Sequence, residues 1–229
     1  MVPPYFTMLT KGNPGDKNLP VILLDIQYLP PVPYVAVFLN NEQVWLEQHE
    51  NFVKQSFRNR CRILTANGAE DLVIPLKKPR HRVPVREIRI DNNQQWAVHH
   101  WKSIQSAYGK SPWFLHYAGE LKEALLTQHH LLIDLDLSLF RICLKWLGME
   151  KDILLTDDYK GILSSPSLDL RSAFHPKKQV PGLPGYSPSL YIQNFGKEFV
   201  PSMSIIDLIF SEGPNSMGVI GMGKGFPVS

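Results

Sequence analysis

QHENFVKQSFRNRCRI, Gln48 to Ile63, is the densest polar and basic run in the chain, and an apolar segment flanks it on each side. Lys54, Arg58, Arg60 and Arg62 supply four cations; His49, Asn51, Gln55 and Asn59 supply neutral hydrogen-bonding groups. Read as a helix from about Asn51, the run places Asn51, Gln55, Arg58 and Arg62 on one face with Lys54 beside them. The expectation is a helix set between two strands and carrying a site.

Upstream, VILLDI (Val21 to Ile26) is short, apolar and rich in branched side chains, as a strand buried on both faces would be. Pro30, Pro31 and Pro33 bar a helix interior, and a short helix is expected past them, to Asn40. VWLEQ (Val44 to Gln48) is a second strand. Downstream, Asn67–Gly68 is a turn signal, and strands are expected at Glu70 to Lys78 and Val83 to Ile90 with a basic loop closing a hairpin between them. Three consecutive helices fill about 92–148. Asp91 or Asn92 starts the first, Ser111–Pro112 restarts the second, and Gly148 stops the third. Strands follow at Ile153 to Thr156 and Leu190 to Phe195, with a Pro-, Gly- and Ser-rich loop between them from 157 to about 186. A last helix, capped by Ser202, runs through Phe210. The reading is an α/β fold, a mixed sheet covered by helices, as a single domain over 20–215 with a loose leader at 1–19 and a tail at 216–229.

The totals exclude several classes. A chain of 229 residues, 44% hydrophobic and 20% charged, can build a real core. A formal net charge of +3 argues against a nucleic-acid coat, so nucleic acid is an unlikely partner, although Lys77, Lys78, Arg80, Arg82 and Arg86 form a local basic group. Two cysteines make no disulfide framework and suit a cytoplasmic setting. No apolar run reaches ~18 residues, so no membrane span is expected. G-x-S-x-G, P-loop and GxGxxG patterns are missing. His99–His100 and His129–His130 are adjacent pairs, which diverge by about 100° on a helix and do not ligate one metal together. No metal site is expected, and no cofactor is specified. Asp134 and Asp136 are expected to cap or to pair with Arg141 or Lys145; Ser202, Ser204 and Asp207 are expected to serve a helix N-terminus.

Five blocks, in order and spacing, resemble the WbqC-like protein family: QYLPPVPY, EQHENFVKQSFRNRCRILTANG, LVIPLKK with VPVREIRID, SIQSAYGKSPWFLHY, and FVPSMSIIDLIFSEGP. The resemblance covers roughly 20–215 and is greatest to the version found in Bacteroidetes-type bacteria. It implies a bacterial protein associated with O-antigen, capsule or other surface-glycan synthesis, and from that setting a transferase acting on an activated sugar. Many relatives open with a block like HQPxYLPW. Here the block reads DIQYLPPV, so Asp25 replaces the His, Gln27 takes the Pro position and Pro31 the Trp position.

The candidate substrate-binding residues are therefore Gln27, Tyr28, Asn51, Lys54, Gln55, Arg58, Asn59 and Arg62, holding a small anionic substrate such as a nucleotide-linked sugar. His49, beside Glu47 and Glu50, is the candidate proton carrier. The competing reading of the basic run is a solvated face, or salt bridges to Glu47, Glu50 and Glu87. A non-catalytic binding or assembly protein is the alternative function.

Overall fold

The buried apolar run at Val21 forms the centre of a parallel sheet. In this computed structural model, residues 21–78, 82–159, 167–177 and 190–221 are described. Strands β1 (Val21–Asp25), β2 (Val44–Glu47), β5 (Leu154–Leu155) and β6 (Ser167–Asp169) lie in the order β5-β2-β1-β6, every pair parallel. Helix α1 (Val32–Asn40) is the crossover from β1 to β2; Pro31 enters it in extended conformation and Pro33 sits in its first turn. Eight of its nine residues are buried, from Val32 through Leu39, so it packs on all sides. Lys151 closes its other end by donating to the Phe38 and Asn41 carbonyls.

The antiparallel component is a hairpin, β3 (Arg60–Thr65) with β4 (Gly68–Val73). Gly68, at φ 102°, takes the left-handed position that the Asn67–Gly68 signal demands. The consecutive helical block is α2 (Trp96–Tyr108), α3 (Phe114–Leu126) and α4 (Leu132–Trp146), and Gly148 at φ 69° ends it. Helices α5 (Ile205–Glu212) and α6 (Ser216–Ile220) return to pack beside α1. The α/β reading with its helical block stands.

Several local expectations do not. The run from Asn51 is not a helix. Phe52 N–H donates to the Val83 carbonyl, Asn51 bridges Pro84, and Gln55 sits at φ 58° before a single 3₁₀ turn at Phe57–Asn59. From Arg60 the side chains alternate: Cys61 and Ile63 are buried, Arg60 and Arg62 half-buried. Period two won over period 3.6, and the shared face of Asn51, Gln55, Arg58 and Arg62 does not exist. The hairpin partner of β4 is therefore β3 rather than the 83–90 stretch. That stretch is a 3₁₀ turn at Val85–Glu87, with isolated bridges to three different segments through Pro84, Arg89 and Ile90. Leu190 to Phe195 is irregular; Gln193 replaces a strand ladder by exchanging two hydrogen bonds with the Val200 backbone. The 157–186 loop contains β6, and the expected tail begins with α6, whose Ile220 is buried. Ser204 precedes α5 but gives its hydroxyl to the Leu29 carbonyl instead of capping, and Ser202 is at φ 60° outside the helix. The leader at 1–19, Arg80 and residues 222–229 lie outside the described residues.

Two buried acids have surroundings that the spacing does not predict, although Asp207 does lie in the first turn of α5. Asp207 accepts from Tyr108 (2.9 Å), Tyr191 (2.6 Å) and Gln193 (3.0 Å), tying α5 to α2 and to the 190–200 segment. Asp136 is buried in α4 with no hydrogen-bond partner for either oxygen, and burial pushes its carboxyl well above the usual range; Lys145 pairs with Glu120 instead.

Candidate functional site

Each parallel strand delivers a polar residue at its carboxyl end. Asp25 ends β1, Glu47 ends β2 directly opposite it, Asp169 ends β6, and Thr156 follows β5. Crevices outside this edge of parallel sheets are where open α/β folds bind ligands.

Asp25 and Arg58 form the centre of the cluster, both completely buried, with Nη1 3.2 Å from Oδ2. Arg58 projects from the 3₁₀ turn and gives Nε (2.8 Å) and Nη2 (2.5 Å) to Glu50 Oε1, with Nη2 also reaching Ser172 Oγ at 3.2 Å. Ser172, at φ 59°, donates its backbone N–H to Asp25 Oδ1 at 3.0 Å. Gln27 Nε2 donates to Asp25 Oδ2 (3.1 Å) and to the Phe174 carbonyl (3.4 Å). Glu47 Oε1 accepts from the Thr156 hydroxyl and the His49 N–H, both at 2.8 Å. Arg171 bridges Glu47 (3.5 Å) and Asp169 (2.6 Å). Burial pushes the Glu50 carboxyl up to about 7; the Arg58 charge opposes this and the Asp25 charge adds to it. His49 Nε2 lies 3.0 Å from the Thr156 carbonyl. A carbonyl only accepts, so Nε2 carries the proton and Nδ1 is left as an acceptor in the neutral ring.

Apart from this cluster, a groove of about 920 Å³ opens between the 52–55 segment, the base of the hairpin and residues 74–78 and 82–83. Its floor is apolar, with Phe52, Ile74, Leu76 and Ile88. Its walls carry Lys54, Arg60, Lys77, Lys78 and Arg82, with the amides of Gln55 and Asn59 and, among the described residues, no carboxylate. Lys54, Lys77, Lys78 and Arg82 are exposed and have no ion-pair partner among the described residues.

The sequence candidates therefore divide. Lys54, Gln55 and Asn59 line the groove; Gln27 and Arg58 belong to the buried cluster; His49 stands at its edge. Asn59 is held by donating to the Ile74 carbonyl at 2.8 Å. Tyr28 is in the core, its hydroxyl 3.0 Å from His100 Nδ1. Asn51 is exposed and lines neither region. Arg62 is occupied by a bidentate pair with Asp71 (2.7 and 3.1 Å) and by the Pro176 carbonyl. Sequence reasoning did not single out Asp25, Glu47, Glu50, Asp169 or Arg171 as site residues. The available signal was a carboxylate closing a buried apolar run, as in VILLD and VWLE. Lys77, Lys78 and Arg82 were visible only as a basic group. Among the described residues, no three His, Cys, Asp or Glu side chains converge as metal ligands do.

A model of the WbqC-like protein family matches residues 26–180. A protein of Mycobacterium tuberculosis titled "Uncharacterized protein Rv1507c" is 25% identical over 142 residues, and the alignment spans 61% of this chain and 61% of that relative. No solved structure matches.

Proposed function

The chain belongs to the WbqC-like protein family, and on that premise we propose that it is a cytoplasmic transferase of surface-glycan synthesis acting on a nucleotide-linked sugar. The observation that supports this reading is the groove, which among the described residues has five cations, two amides and no acid on its walls above an apolar floor. A nucleoside diphosphate needs that combination. Lysine and arginine meet the phosphate oxygens, and the half-buried Phe52 with its aliphatic neighbours covers the flat faces of base and sugar. Arg58 is not the phosphate ligand, because Asp25 and Glu50 already neutralise it. His49 Nδ1 is the proton acceptor in this reading, with its tautomer set by Thr156.

Calorimetric titration with UDP-glucose and dTDP-glucose tests the assignment. The wild-type protein is expected to bind at least one of them saturably, and a Lys77→Glu/Arg82→Glu double variant at least tenfold more weakly. Absence of binding by the wild-type protein to both contradicts the reading. The closed ion pairs of Arg58 favour a second reading, a binding or assembly protein. Saturable binding of nucleotide-sugar without turnover of any activated sugar would select it.

A further inference from the structure

Asn59, on the groove wall, is buried and rigidly held. It is 8% exposed, its backbone carbonyl accepts from the Ile74 N–H at 2.8 Å, and its Nδ2 donates back to the Ile74 carbonyl at 2.8 Å. The second bond fixes the amide, because a carbonyl only accepts and the atom facing it must be the nitrogen. The atom left over is Oδ1. It has no hydrogen-bond partner among the described residues and is not sealed from solvent. Asn59 lines the groove, so this acceptor opens into it. The side chains around it donate. Five are cations, and Gln55 Oε1 is taken by Lys177 Nζ at 2.9 Å, which leaves Gln55 Nε2 as a donor. Among the described side chains, the groove therefore sets one fixed acceptor amid donors.

A ligand that matches this pattern carries a single N–H between acceptors. Uracil and thymine do, since N3–H stands between the O2 and O4 carbonyls. Adenine and cytosine present an amino group with two N–H donors, and guanine adds an amino group to its N1–H. Each of those bases leaves a surplus donor facing lysine and arginine, where it finds no acceptor. We propose that Asn59 sets the base specificity of the groove, with Oδ1 accepting the N3–H of a uracil or thymine and the flanking carbonyls facing the donors around it. This rests on the nucleotide-sugar reading of the groove, and it narrows the substrate class to uracil- and thymine-linked sugars. The amide is held in place before any ligand arrives, which is what a residue that discriminates by one hydrogen bond requires.

Calorimetric titration with UDP, CDP, ADP and GDP reads the base. A UDP analogue methylated at N3 reads the single N–H without changing the protein. The wild-type protein is expected to bind UDP about tenfold more tightly than the other four. Asn59→Ala should bring UDP down to the level of CDP while leaving CDP itself little changed. If that variant does not fold, the methylated analogue decides alone: binding equal to UDP overturns the proposal. Equal binding of all the nucleotides by the wild-type protein, or a UDP preference that survives Asn59→Ala, overturns the role of Asn59 and leaves the groove reading standing. Binding of none of them overturns both.

Discussion

Arg58 decides the site at the scale of single residues. Its side chain is completely buried, and its two carboxylate partners come from different segments, Asp25 at the end of β1 and Glu50 after β2. Removing the guanidinium strands two acids in a region with little water. Arg58→Ala is expected to lower stability by about 3–5 kcal/mol in chemical denaturation; a change below ~1 kcal/mol would show that the pair is not buried as described. Glu50 gives a pH signature. Its folded value of about 7 exceeds its ordinary 4.5, so between those limits the native state holds more protons than the unfolded chain. Stability from this group is therefore greatest below pH 4.5, falls as pH rises to 7, and is flat above. His100, lowered to about 4 by burial, acts in the opposite sense: its contribution is present above pH 6.5 and is lost as pH falls toward 4. The two slopes overlap, so the Glu50 part is read as the difference between wild type and Glu50→Gln across pH 4.5–7. A difference that stays constant with pH contradicts the assignment. The charged partners of Arg58 were legible in the sequence only as a competing possibility, because spacing along the chain does not say which acid a turn will bring near.

At the scale of elements, the long periodic helices and the short apolar strands β1 and β2 match the sequence reading, whereas the polar segments between them do not. Trp96, His100 and Ile104 recur at helical spacing, and α2 forms with all three buried. The Gln48–Ile63 run supports two periods at once. Arg58 and Arg62 are four apart, while Cys61 and Ile63 are two apart. Tertiary pairing settled the matter, since β4 offers Asp71 opposite Arg62 and Leu72 opposite Cys61. No local signal contains that partner. The same holds for β6, three residues long, which pairs with β1 far upstream in the chain. Gly213 is a local constraint at the end of α5. It follows α5 at φ 53°, and a Cβ there would stand 2.3 Å from the Trp113 ring. Gly213→Ala is expected to cost ~2 kcal/mol or more, seen as a lower thermal midpoint. An unchanged midpoint would mean that Trp113 does not pack on the end of α5.

For the whole molecule, topology explains what composition could not. A parallel sheet aligns its strand ends, so Asp25 at the end of β1 and Asp169 at the end of β6, opposite Leu23, reach the same edge from distant parts of the chain. The blocks that resemble the family were each readable, yet nothing in them shows that the acids gather at the sheet and the free lysines gather in a separate groove. Three of the residues off rotationally ordinary backbone, Leu29, Gln55 and Ser172, lie in the segments that build these two regions. Strain of this kind collects at working sites. Among the described residues no helix is long and apolar enough to cross a membrane. The central claim is that the basic groove holds the nucleotide diphosphate, and amide chemical-shift mapping on addition of dTDP-glucose tests it most directly. The account predicts saturable shifts concentrated at Lys54, Gln55, Asn59, Lys77 and Lys78. Shifts confined to the exposed faces of α3 and α4, or no shifts at all, would contradict it.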